Sequence, residues 1–339
     1  MLSKSKRILF GMLHVVMLLV MVHWFLISVT YLREISWLAI LGAGLLFLLA
    51  WLKRDGVKRA LAWLTQHKKG FLLGAIVFQL IVMVCAELLI RRDAAVVFKG
   101  AFELLKQSSI TNYLSRNPNN IPLFLYEKFF YVLFGSSGLW VMQVLNMLYV
   151  NLGAVLLYKL SQKHFNQKTA DLVYLFYVSL ICYSPYFYSM YTDIPPLPLI
   201  ALQLWWALDL LKENQAGISW KKMFGLGILS GVTMLIRPTT IIVMIAFWAV
   251  LFFRGNWKVF GNIATVTVMT TGFVFAGLNT AVNHQRVVPI LKEEGLAKGP
   301  LLFINLGLTD MGHNQEDMKE GLLAYIDEDK RSDYNNGLF

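Results

Sequence analysis

Residues 91–135 read RRDAAVVFKG AFELLKQSSI TNYLSRNPNN IPLFLYEKFF YVLFG, and this stretch decides the fold. It is the one long segment between apolar runs that is neither polar tail nor simple membrane span. Arg91-Arg92-Asp93 follows directly on an apolar run ending at Ile90. The spacing then predicts an amphipathic helix, with Val96, Val97, Ala101, Leu104 and Leu105 on one side and Lys99, Glu103 and Lys106 on the other. A polar turn, Asn117-Pro118-Asn119-Asn120, leads into a second amphipathic, aromatic-rich helix over 122–134. Two interfacial helices bracketing a carboxylate at a membrane surface point to a reaction site rather than a connector.

The composition around this stretch sets the class. Apolar residues make up 57% of the chain and charged residues 15%, and the mean hydropathy is +0.56, far from a soluble balance. Repeated apolar runs approach the roughly 20 residues that cross a bilayer. The expected fold is an all-α, polytopic helical bundle of about nine transmembrane helices. The net charge of +11 reads as an excess of cytoplasmic Lys and Arg, not as a nucleic-acid surface. Cys85 and Cys182 lie inside apolar runs, which leaves no basis for a disulfide framework or a zinc site.

Outward from the central stretch, the charges order the spans. Lys4, Lys6 and Arg7 precede a first run over 8–31, too long for a signal peptide and lacking a small-residue cleavage site. Residues 37–52 return. The connector 53–70 carries Lys53, Arg54, Lys58, Arg59, Lys68 and Lys69 against Asp55, which places it in the cytoplasm; 57–64 reads as a short interfacial helix. Residues 71–90 cross outward and deliver Asp93 to the outer face. Spans are then expected over 139–158, 172–190 and 197–211, with Lys159, Lys163, His164, Lys168, Lys212, Lys221 and Lys222 inside.

The run 224–253 as a single helix would reach about 45 Å and bury Arg237, so two short spans meeting at Arg237-Pro238 fit better. Residues 259–282 cross last. The polar segment 283–339 holds ten acids against six Lys or Arg and is expected outside. The chain thus divides into a membrane domain, 1–282, and a polar outer segment, 283–339.

Asp93, Gly100-Ala101, Tyr113, Pro118-Asn119-Asn120 and Leu133-Phe134-Gly135 occur in an order that resembles the first extracytoplasmic loop of GT-C glycosyltransferases. That superfamily includes the protein O-mannosyltransferases and the aminoarabinose transferases of lipid A. The resemblance continues more loosely through Tyr191-Thr192-Asp193, Ile236-Arg237-Pro238-Thr239 and Phe303-Ile304-Asn305-Leu306-Gly307-Leu308. It departs at one place, because the mannosyltransferases carry an Asp-Glu pair where Asp93 is followed by Ala94. The resemblance implies transfer of a hexosyl or pentosyl unit from a polyprenyl-phosphate donor to a cell-envelope glycan, glycolipid or protein on the outer face. It also implies that a chain ending at Phe339 is short or truncated, since related enzymes continue into further spans.

Such a transfer needs a base for the acceptor hydroxyl, cations for the departing phosphate and a groove for the lipid. Asp93 is the candidate base, and one base acting alone implies inversion of the sugar; the plainer reading is an ion pair with Arg91 or Arg92. Arg91, Arg92, Lys99, Arg116 and Arg237 are the candidate phosphate ligands, with Arg237 foremost because a cation at a break between spans is costly without a partner. Asp193 is expected to orient the acceptor or a divalent ion. No metal ligand set is assigned, and a divalent metal is the only cofactor left open. Asn119 and Asn120 could meet sugar hydroxyls, or form an ordinary turn. Glu87 and His313 receive no role. Two other functions stay open: a transporter or lipid flippase, which would need polar groups in the middle of several spans, and a non-catalytic subunit of envelope glycan assembly.

Overall fold

The computed structural model describes residues 53–86, 90, 92–212 and 219–291, with isolated positions before 53. The expected spans over 8–31 and 37–52, together with Glu87, Arg91, His313 and the chain beyond Leu291, lie outside the described residues. Every regular element among the described residues is helical. The chain divides into two units, residues 1–68 and 69–339. The first contributes α1 (Arg54–Gln66).

The second unit opens with α2 (Lys68–Cys85). The predicted helix over the first half of the central stretch is two helices, α3 (Arg92–Ala101) and α4 (Gln107–Arg116). The break is a helix C-cap of the Schellman type: Leu104 N–H bonds Lys99 O at 2.7 Å and Glu103 N–H bonds Gly100 O at 3.2 Å. Glu103 accordingly sits at φ +60°, where glycine is the usual occupant. The early stop explains why Leu104, expected on the buried face, is 67% exposed.

A 3₁₀ turn, Pro118–Asn120, feeds α5 (Ile121–Phe134), and a second, Gly135–Ser137, feeds α6 (Gly138–His164). Gly135 has φ +57°, and a Cβ on Gly138 would stand 2.7 Å from Phe130 O. Phe130 therefore meets Gly138, while Tyr126 meets Tyr149. The two pairings step in opposite directions, so α5 folds back along α6 as a helical hairpin. The helix expected to lie along the interface is packed against the next one.

α7 (Gln167–Tyr177) runs on through a π-helical turn, Val178–Cys182, and stops before Pro185. The expected span over 172–190 thus ends about two turns early, because proline cannot continue a helix. α8 (Leu197–Lys212) follows. The break at Arg237-Pro238 is observed: α9 (Trp220–Ile236) and α10 (Ile242–Phe253) are separated by a 3₁₀ turn at Pro238–Ile241. α11 (Trp257–Asn283) completes the described chain. By length and composition, Lys68–Cys85, Pro118–His164 and Trp257–Asn283 can cross a membrane.

Two apolar cores are seen among the described residues. Val97, Ala101, Ile110, Leu114, Ile121 and Phe124 form one with Met142, Met190 and Val288. Residues of α8, α9, α10 and α11, including Leu210, Leu226, Met244 and Ile263, form the other. Uncharged polar side chains link helices inside the bundle: Gln79 Nε2 donates to Cys182 O at 2.8 Å, Asn151 Nδ2 to Gln79 Oε1 at 2.7 Å, and Asn146 Nδ2 to Phe187 O at 3.1 Å.

Basic residues collect at the end of the bundle where α8 finishes and α9 starts. Asp209 draws in Lys163 at 2.7 Å and His164 at 2.9 Å, with Lys222 at 3.8 Å. Arg237 lies at the other end of α9, about 25 Å of helix away.

α9 and α11 approach closely, and Gly227-x-x-x-Gly231 permits it. A Cβ at Gly227 would lie 2.6 Å from Thr270 Cβ, and one at Gly231 would lie 2.8 Å from Val274 Cβ. Small residues at this spacing let helix backbones approach in a membrane. Gly227→Ala and Gly231→Ala are therefore expected to destabilise by about 1–3 kcal/mol each through overpacking. Gly272→Ala, where nothing lies within 4 Å, should gain up to about 1 kcal/mol from helix propensity. Thermal unfolding of the three variants in detergent checks the opposite signs.

Candidate functional site

The site begins with the cap that follows α4. Asn117 Nδ2 donates to Tyr113 O at 2.9 Å and closes the helix. The 3₁₀ turn after it then brings Asn120 back over the same residue, where its Nδ2 donates to the Tyr113 phenol oxygen at 2.7 Å. That phenol lies close to Asp93 in the first turn of α3. Burial first, and the Asp93 charge second, push the Tyr113 pKa well above the ordinary phenol range. Asn120, Tyr113 and Asp93 thus lie in series, with a buried amide fixing a phenol that stands beside an exposed carboxylate.

A second group of residues approaches from the 183–196 loop and the α9–α10 break. Arg237 Nη1 contacts Asp193 Oδ1 at 2.6 Å and donates to Thr192 Oγ1 at 2.9 Å. The Tyr186 phenol donates to the other Asp193 oxygen, Oδ2. The Arg237 guanidinium stands 5.7 Å from the centroid of the Tyr191 ring, within cation–π range. Tyr191 joins the two groups: burial raises its pKa, the Asp93 charge adds to this, and Arg237 opposes it. Asp93, Asp193 and Arg237 therefore share one neighbourhood, 144 residues apart in sequence at the extremes.

An apolar cavity of about 350 Å³ opens beside this group. Leu123 and Tyr126 of α5, Tyr149 and Leu152 of α6, and Pro198 and Leu202 of α8 form its walls, and it reaches Thr192 and Ile236. Two of its lining residues, Thr192 and Ile236, are therefore the contact partner and the chain neighbour of Arg237.

The sequence-predicted residues divide clearly. Asp93, Asn120, Asp193 and Arg237 come together. Arg116 follows one turn after Tyr113 on α4 and buries its Nε without a hydrogen-bond partner among the described residues. Asn119 is exposed. Lys99 is exposed and, six residues after Asp93 on α3, emerges from a different face. Arg91 and the Arg92 side chain lie outside the described residues. No group of three or more His, Cys, Asp or Glu residues suited to a metal ion occurs among the described residues.

Sequence reasoning misses Tyr113, Tyr186 and Thr192 as polar partners, and it misses two carboxylates. Glu103 is exposed but held by Lys128 Nζ at 2.6 Å and Tyr131 Oη at 3.3 Å, and Lys128 keeps its pKa below the ordinary value. Glu127, on the buried face of α5, is 0% exposed, and both its oxygens lack a hydrogen-bond partner among the described residues.

A family model described as conserved hypothetical integral membrane protein matches residues 5–338. The chain belongs to that family. It is an integral membrane protein that contacts membrane lipids, in keeping with its apolar helices. No curated protein and no solved structure matches it.

A carboxyl group buried without a partner costs stability, and an apolar replacement of similar size removes that cost. Glu127→Leu is expected to raise the thermal unfolding midpoint by a few degrees, corresponding to about 1–3 kcal/mol. A lowered midpoint in detergent would mean that the carboxyl group meets a partner in the membrane-embedded protein.

Proposed function

We propose that the protein is a membrane glycosyltransferase that moves a sugar from a polyprenyl-phosphate donor to a cell-envelope acceptor. One observation carries the reading: an apolar cavity is lined in part by Thr192 and Ile236, beside an Arg237–Asp193 pair that shares Tyr191 with Asp93. An amphiphile with a long apolar tail and a charged head suits that arrangement, with the tail between α5, α6 and α8 and the phosphate beside Arg237. Among the described residues both polar contacts of the guanidinium fall on Nη1, and a planar fork has further N–H donors to offer a phosphate. Arg116 would add a second cation close to Tyr113.

In the proposed reaction the acceptor hydroxyl gives its proton to an Asp93 carboxylate oxygen as its own oxygen attacks the anomeric carbon. The bond from that carbon to the phosphate oxygen breaks, and the polyprenyl phosphate departs with the electron pair. Arg237 stabilises the charge that grows on the phosphate. Tyr113, held by Asn120, stands beside Asp93. Displacement by a single base inverts the sugar.

The transporter reading asks for ionisable groups in the middle of several spans. Among the described residues Glu127 is one such buried ionisable group, where that reading asks for several; Gln79, Asn146 and Asn151, which link the helices, are uncharged and donate to one another or to backbone oxygens. They act as helix-to-helix adhesive.

Asp93→Asn tests the reading, since it removes the proton acceptor while preserving shape. Purified protein with polyprenyl-phosphate sugars is expected to retain donor binding and to lose turnover by on the order of a hundredfold or more. Near-normal transfer per folded molecule would overturn the base assignment. Arg237→Lys should keep only part of the activity, with weakened donor affinity, because an ammonium keeps the charge but loses the planar fork. Unchanged donor affinity in Arg237→Ala would limit this residue to a structural role.

A further inference from the structure

The helix that opens the described chain takes no part in the site. At about 100° per residue, Trp63, Ala60, Leu64, Val57 and Leu61 of α1 fall on one arc, and Asp55, Gln66 and Thr65 on the other. The cations are not spread evenly over the polar side. Arg54 and Lys58 follow Leu61 at one edge of the apolar arc, and Arg59 borders Trp63 at the other. Asp55 lies near the middle of the polar side, farthest from the arc, and it is already engaged by Lys58 Nζ at 3.4 Å.

None of the α1 residues is buried. Val57, Leu61 and Trp63 are 39%, 43% and 58% exposed, so none of the described residues covers their stripe. Only His67 separates α1 from α2, a helix long and apolar enough to cross a membrane. If α2 crosses the membrane, this one-residue link leaves α1 within about 4 Å of chain from the point where α2 enters it. Across 53–70 the chain offers Lys53, Arg54, Lys58, Arg59, Lys68 and Lys69 against a single acid.

We propose that α1 is a binding surface for anionic phospholipids. The apolar arc enters the boundary between headgroups and acyl chains. Arg54, Lys58 and Arg59, at its two edges, reach the headgroup phosphates on either side, their stems lying along the apolar surface. Asp55 faces the water. A zwitterionic surface would satisfy the apolar arc alone, whereas cations at both edges select a negative one. Each Lys or Arg near such a surface contributes roughly fivefold in binding.

The test uses the full chain with Cys85 and Cys182 replaced by alanine, reconstituted in vesicles of phosphatidylcholine with increasing phosphatidylglycerol. A bimane label on Leu61→Cys or on Ala62→Cys is read against bromine-substituted acyl chains, which quench only at close range. Quenching is expected several-fold stronger at 61 than at 62, and it should rise with the phosphatidylglycerol fraction. In the R54Q/K58Q/R59Q variant, whose changes are all at exposed positions, the rise should be lost while the quenching in pure phosphatidylcholine remains. Absence of quenching at 61 would show the stripe covered by a second copy or another protein and overturn the proposal. A rise that persists in the triple variant would overturn the selection of anionic lipid by these cations. Retention of phosphatidylglycerol by the detergent-purified protein, measured by mass spectrometry on wild type and the triple variant, gives a reading independent of the labels.

Discussion

Arg237 is a permanent cation at a break in the helical run, and the structure around it is arranged to make that tolerable. Arg237 N–H still reaches Thr233 O at 2.8 Å, and Arg237 O accepts from both Thr240 N–H, at 3.1 Å, and Thr240 Oγ1, at 2.8 Å. The backbone on both sides of Pro238 is thus satisfied locally, as an apolar surrounding requires. The charge is met by Asp193, which a tyrosine phenol also holds. Because Asp193 belongs to the loop between α7 and α8, the ion pair ties that loop to the α9–α10 break. The position of Tyr191, and through it the approach to Asp93, follows from this one contact.

The helices that carry these loops are joined by close approach and by uncharged hydrogen bonds. Lipid removes most of the hydrophobic drive between helices, so small residues and amides do what bulk burial does in water. Gly227 and Gly231 bring α9 against α11, with Thr271 Oγ1 donating across to Gly227 O at 3.2 Å. Gly153 meets the Tyr177 phenol, and Gln79 and Asn151 join α2 to α6. The small domain built from α3, α4 and α5 instead uses an ordinary apolar core, centred on Val97, Leu114 and Ile121.

Much of this is legible in the chain where proline, glycine and charge leave little choice. Pro122 and Gly135 bound the helix that becomes α5, and a charged residue before Pro238 in a run of 30 apolar positions leaves a break as the cheapest solution. The end of α3 is not legible in the same way, because a Schellman cap with glutamate in place of glycine has no local signature. Neither is the Asn120–Tyr113–Asp93 series, which brings together residues 20 and 7 positions apart through a turn whose shape depends on packing. Asp193 and Arg237 stand out in sequence as isolated charges, but their mutual pairing needs the fold. Gly227-x-x-x-Gly231 stands in the sequence in plain form, yet spacing alone does not name the helix it meets.

Glu103 has a mechanical consequence. Its left-handed backbone ends α3 after ten residues, and Lys128 of α5 grips the side chain at that point. Asp93 lies at the opposite end of α3, about 15 Å away. Between the two ends α3 is seated in the apolar core through Ala94, Val97 and Ala101, which fixes the line along which the carboxylate is presented. α5 also walls the apolar cavity through Leu123 and Tyr126. The helix that holds the end of α3 is thus also a wall of the cavity, and one element serves both.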